Sequence, residues 1–171
     1  MRTTPDPLAD MAVEVAVTVD APIDDVWSLL SDVERMAGLG PEHVSARWDT
    51  PGPAEGARFT GWNRNERMEW HVPCVVTACR PPEYFEWTVG DAPGHSSTWS
   101  YALDARPDGS TGVVQRFRHG PGFSFVRQRV DQAPEETAAV IAGRSATLRA
   151  GMAETLAAAA RLLAGDGRAG A

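Results

Sequence analysis

Four polar side chains stand where an alternating chain turns them inward. Asn63 shares its parity with Phe59 and Gly61, Tyr101 with Trp99 and Leu103, and Gln115 and His119 with Val113 and Phe117. Residues two apart in a strand share a face, so each sits among apolar neighbours. A buried amide, hydroxyl or imidazole left unpaired costs about 1–3 kcal/mol. Each must therefore meet a protein group, a water or a ligand. His119 adds a further chemistry, because an imidazole titrates near neutrality and can act as a general acid or base. His119, Tyr101 and Asn63 are the candidate catalytic residues, and no recognisable catalytic cluster accompanies them.

Other chemistry-bearing residues do not assemble. Ser96-Ser97 lacks the glycines of a nucleophile elbow. Asp24 and Asp25 follow Pro22, where they suit the positive first turn of a helix. Gly120-Pro121-Gly122 has no following Lys and reads as a turn rather than a phosphate loop. Cys74 and Cys79 lie five apart in one strand-like segment, which places them on opposite faces as two reduced thiols. No metal or cofactor is expected. His43 and His95 fall in loops, with His95 near an entrance. His71 shares an outer face with Glu69 and Pro73. Arg116, Arg118, Arg127 and Arg129 form a modest basic group, read as a solvated face.

Composition narrows the class. The 171 residues suit one domain, and 16 basic against 23 acidic residues leave a net charge of −7. Every basic residue is Arg, and none cluster densely enough to neutralise a nucleic acid backbone. No apolar run reaches the roughly 20 residues of a membrane span, and the first ten residues hold no apolar signal region. A cytoplasmic location is expected, with no nucleic acid partner, no membrane insertion, and a monomer or homodimer. Six Trp, five Phe and two Tyr accompany only nine Leu and two Ile, so rings carry much of the interior.

The elements that position these residues follow from pattern. Residues 12–19 alternate Val with polar or small residues, a half-buried strand. Ile23, Val26, Trp27 and Leu30 make one helical face. Ser31 and Glu34 match a capping box for a second short helix that ends at Gly38. Alternating segments then recur around Val44–Trp48, Arg58–Asn65, Met68–Cys79, Phe85–Val89, Trp99–Leu103 and Thr111–His119. Turn signals separate them. Pro73 inside the fourth strand predicts an edge or a bulge. Pro134, Glu135 and Glu136 open a long helix running to about Ala164, with Gly165 as its stop.

This order predicts an α+β fold: a seven-stranded curved antiparallel sheet wrapped around a long C-terminal helix, with two short helices after strand 1. Residues 1–10 read as a disordered lead, 11–164 as one domain, and 165–171 as a disordered tail. The strand pattern starts beside Met11, which leaves Met1 and Met11 as alternative native starts.

The chain resembles the SRPBCC or START-like helix-grip superfamily, in its polyketide cyclase/dehydrase and lipid-transport branch. The residues that carry the likeness are VAVTVDAPIDDVWSLL (15–30), GARFTGWNRN (56–65), VVTACRPPEYFEWTV (75–89), WSYAL (99–103) and RAGMAETL (149–156). The resemblance implies an apolar cavity between sheet and long helix, entered near the short helices and the loop before that helix. It brings no shared catalytic set.

If the helix lies on the concave face, the inward parity of each strand selects the lining. That set is Trp48, Phe59, Gly61, Asn63, Trp70, Cys74, Val76, Phe85, Trp87, Trp99, Tyr101, Gln115, Phe117 and His119. Leu148, Gly151, Met152 and Leu156 join it from the helix. The functional expectation is binding of a small hydrophobic molecule, lipid-like or polyketide-like. The alternative is an aromatase/cyclase or dehydratase acting on a polyketide-like substrate in the same space. A third reading, an interaction module, would need an exposed apolar groove.

Overall fold

The computed structural model describes residues 6–166. The strands are β1 (Ala12–Val19), β2 (His43–Trp48), β3 (Arg58–Arg64), β4 (Glu69–Arg80), β5 (Tyr84–Val89), β6 (Ser97–Ala105) and β7 (Thr111–His119). They form one antiparallel sheet in the order β1-β7-β6-β5-β4-β3-β2. Consecutive strands from β2 to β7 pair as antiparallel hairpins, and β1 closes against β7 with Val13 opposite Phe117 and Val15 opposite Gln115. The helices are α1 (Ile23–Leu30), α2 (Val33–Met36), α3 (Phe125–Gln132) and α4 (Thr137–Asp166). The predicted α+β helix-grip architecture is the one observed.

Local chemistry departs from expectation in several places. Asp32, not Ser31, caps α2: its carboxylate accepts from the backbone N–H groups of Glu34 and Arg35. Ser31 instead donates to the Trp27 carbonyl, and Glu34 reaches across to accept from Trp48 N–H. Pro134–Glu136 form a 3₁₀ turn that leads into α4, and Gly165 lies within the helix rather than stopping it.

Two register shifts redirect side chains. One between Val76 and Ala78 in β4 pairs Cys79 with Phe85, so Cys79 joins Cys74 on the inner face. The sequence pattern put the two thiols on opposite faces because it assumed unbroken alternation. The other shift, between His43 and Ser45, turns His43 inward and leaves Val44 exposed. Pro73 interrupts neither ladder. It lies one residue past the last β4–β5 pair, Cys74 with Val89, where no strand partner needs its missing N–H.

The expected lead divides. Residues 1–5 lie outside the described residues, whereas Pro7–Asp10 form a turn held by the Leu8 N–H to Asp6 carboxylate bond. Leu8 is fully buried beside Met11, Val13, Phe117 and Val130. At the other end, residues 167–171 also lie outside the described residues.

The interior is two clusters rather than one. The larger packs α1, α2 and the Leu156–Ala159 part of α4 against Phe59, Val76, Phe85, Tyr101, Leu103 and Val113. The smaller joins Leu8, Met11, Val13, Phe117, Val130, Leu148 and Met152. A curved sheet cannot touch a straight helix along its full length. The N-terminal half of α4 stands off the central strands, and a hollow opens there between the clusters.

Candidate functional site

The hollow has a volume of about 750 Å³. It is bounded by the first half of α4, the inner faces of β3 to β7, the loop before β2, and the segment from Phe123 through α3. Its size lies within the range of small-molecule pockets, roughly 300–1,000 Å³.

Most of the residues selected by strand parity border it: Phe59, Gly61, Asn63, Trp70, Cys74, Trp87, Trp99, Tyr101, Gln115, Phe117 and His119, with Leu148, Gly151 and Met152 from α4. Trp48, Val76, Phe85 and Leu156 do not. Trp48 packs at the far end of β2, with its ring 5.4 Å from that of Phe59 and against Gly52. Val76, Phe85 and Leu156 are buried in the larger cluster, Phe85 edge-on to Trp27. Parity gives the face of a strand, not which end of the sheet is hollow.

The wall is aromatic. Trp87 and Trp99 lie nearly parallel, 8° apart in plane with centroids 6.4 Å apart, and Trp99 meets Phe117 edge-on at 4.9 Å. At the mouth Trp70 meets Phe125 edge-on at 6.2 Å, and Phe123 and Phe125 are exposed.

Gly151 has a clear role. The bare helix surface there lets Pro41 approach, with its Cγ 3.4 Å from the position a Cβ would take. One turn on, a side chain at Gly40 would collide with Thr155. Two glycines thus let the loop before β2 lie flat across α4. Arg144 on α4 holds the same loop through Glu42, at 2.8 and 3.0 Å.

The polar candidates do not converge on one point, and His119 Nδ1 and Gln115 Oε1 find no partner among the described residues. His119 Nε2 is 2.7 Å from Ser124 Oγ, the capping group of α3. Gln115 Nε2 donates to Tyr101 Oη at 3.4 Å. Asn63 makes no side-chain hydrogen bond among the described residues. No two of His119, Tyr101 and Asn63 bond to each other. Burial holds the His119 imidazole below its ordinary pKa and pushes the Tyr101 phenol well above its own, so Tyr101 is neutral.

Sequence pattern missed His43. Placed in a loop, it instead begins β2 and borders the hollow opposite Asn63. Burial lowers its pKa, which favours the neutral ring. The signal was hidden by the register shift at Val44. His71 is exposed at the rim, and His95 packs behind Gly120 and Gly122 rather than at the entrance.

The four arginines read as a basic face are each paired: Arg116 with Glu14, Arg118 with Glu86, Arg127 with Asp6 and Arg129 with Glu136. No group of three His, Cys, Asp or Glu is arranged to hold a metal among the described residues. No helix among them is long and apolar enough to cross a membrane.

The family described as polyketide cyclase / dehydrase and lipid transport matches residues 10–161. The chain belongs to that family. Among solved structures it is similar to a Polyketide_cyc-like protein from Corynebacterium glutamicum, at 28% identity over 90% of this chain and 91% of that one, with a TM-score of 0.65. A protein from Nitrosomonas europaea shares the fold at 14% identity, covering 94% and 98% of the two chains, with a TM-score of 0.66. So does an AHSA1-like protein from Aeromonas hydrophila, at 15% identity over 91% and 94%, with a TM-score of 0.57. No curated protein matches the chain.

Proposed function

We propose that this family member binds a small hydrophobic molecule in the hollow between the sheet and α4. One observation carries the reading: an aromatic wall of Trp87, Trp99 and Phe117, with Trp70 and Phe125 at the mouth, borders about 750 Å³ of space. A protein of this size gains by filling its core, because a void forfeits contacts on every lining atom. An apolar guest of matching shape restores those contacts.

The cyclase or dehydratase alternative requires two acid–base groups acting on one substrate atom. Here His119 is engaged with Ser124 and Tyr101 with Gln115, so the geometry supports binding better than turnover. The test is denaturing extraction and mass spectrometry of the protein as purified, alongside a Met152→Trp variant that occupies the space. An apolar compound near one equivalent, reduced or lost in the variant, supports the reading. An empty wild-type protein that also fails to retain added apolar compounds removes it.

A further inference from the structure

The floor of the hollow contains an amide that the described residues leave half-satisfied. Gln115 is 5% exposed and borders the hollow, and its Oε1 has no hydrogen-bond partner among the described residues. Its Nε2 donates to Tyr101 Oη. Rotating the amide by half a turn would let Tyr101 donate to Oε1 but would leave Nε2 unpaired. In either orientation one end of the amide and the neutral phenol beside it retain hydrogen-bonding capacity at the floor. Such groups are almost always partnered in folded proteins.

The charges near the hollow are arranged differently. Arg144 and Arg129, two of the arginines bordering it, are committed to Glu42 and Glu136. The third, Arg67, lies in the turn between β3 and β4, at the mouth. The floor itself is ringed by Trp99, Trp87 and Phe117. Among the described residues, a desolvated carboxylate there would meet no free arginine, and burial holds the bordering His43 and His119 below their ordinary pKa.

We infer that the Gln115–Tyr101 pair is a recognition site for one uncharged oxygen, a phenol or ketone, on the leading edge of a flat ring compound. This rests on the hollow being a ligand site. It separates ring-bearing neutral ligands from fatty acids, which would have to present a carboxylate to the floor or leave it unmatched.

Three probes with one ring system test this by equilibrium dialysis with the full chain at neutral pH: naphthalene, 2-naphthol and 2-naphthoate. The expected order is 2-naphthol tightest and 2-naphthoate weakest. In Gln115→Met and in Tyr101→Phe, each checked for cooperative unfolding, the preference for 2-naphthol over naphthalene falls by about tenfold, the worth of a good buried hydrogen bond. Naphthalene serves as the reference within each variant, so a general loss of binding cancels from the ratio. Either variant alone carries the comparison if the other does not fold. An unchanged preference, or 2-naphthoate binding tightest, overturns the inference while leaving the hollow as a binding site. Failure of wild type to retain naphthalene at all overturns both.

Discussion

Arg144 and Glu42 join the long helix to the loop before β2 through two hydrogen bonds of 2.8 and 3.0 Å, at the edge of the hollow. Both side chains are about one-third exposed. The pair therefore fastens the loop without burying a charge.

Glu42→Gln should cost little stability, about 0.5–1 kcal/mol, as expected of a partly exposed bidentate pair. Its larger effect should be kinetic. A loop no longer held to α4 opens more often, so the release rate of a bound probe should rise several-fold. Stopped-flow dissociation and urea unfolding of the same variant separate the two effects. A loss well above 2 kcal/mol with unchanged release would show that the pair supports the fold rather than the mouth.

The solid and hollow halves should respond differently to truncation. Phe85 is 1% exposed within the larger cluster, so Phe85→Ala should cost about 3–5 kcal/mol. Trp70, half-buried at the mouth, already lacks neighbours on one side. Trp70→Ala should cost well under half as much yet weaken probe binding. Chemical denaturation and dialysis of both variants check this, and equal losses of stability would contradict the division of the interior.

Much of this was legible in the sequence, for an identifiable reason. Where alternation runs unbroken, as in β3, β5, β6 and β7, parity alone placed Phe59, Trp87, Tyr101 and Gln115 on the inner face. Where one residue slips out of register, parity fails beyond the slip. That hid His43 behind Val44 and misplaced Cys79. Parity also says nothing of position along a strand, so Phe85 and Trp87 looked equivalent although only Trp87 borders the hollow. The cap of α2 was misassigned to Ser31 because Asp32 is adjacent and either suits the position by type.

The two half-buried histidines of the hollow predict a pH dependence. Burial lowers the pKa of both His43 and His119, with a Ser45 backbone contact opposing it for His43. The unfolded chain then binds more protons than the folded one. Stability should fall as pH drops below the unfolded imidazole value of about 6.5 and level off once pH passes below the depressed folded values. His43→Asn should make the loss between pH 7.5 and 5.5 shallower than in wild type. Urea unfolding at the two pH values measures this, and an identical slope in the variant would contradict the enclosed, neutral His43.

The two thiols should differ in reactivity. Burial pushes the Cys74 pKa up to about 12, so almost no thiolate exists at neutral pH. Cys79 is raised by the same cause but is partly exposed. An aromatic disulfide reagent should label Cys79 slowly in the native protein and Cys74 only on unfolding. Rapid native labelling of a Cys79→Ser variant would show that the floor beside Cys74 is open to water.

Selective ¹³C-methyl labelling of methionine gives the most direct test of the hollow as a binding site. Met36, Met68 and Met152 border it, whereas Met11 is buried in the smaller cluster and does not. On titration with naphthalene, the account predicts saturable shifts and ligand-to-methyl contacts at Met152 and Met36, with Met11 nearly still. Naphthalene contacts confined to Met11 or absent from all four methyl groups would contradict it.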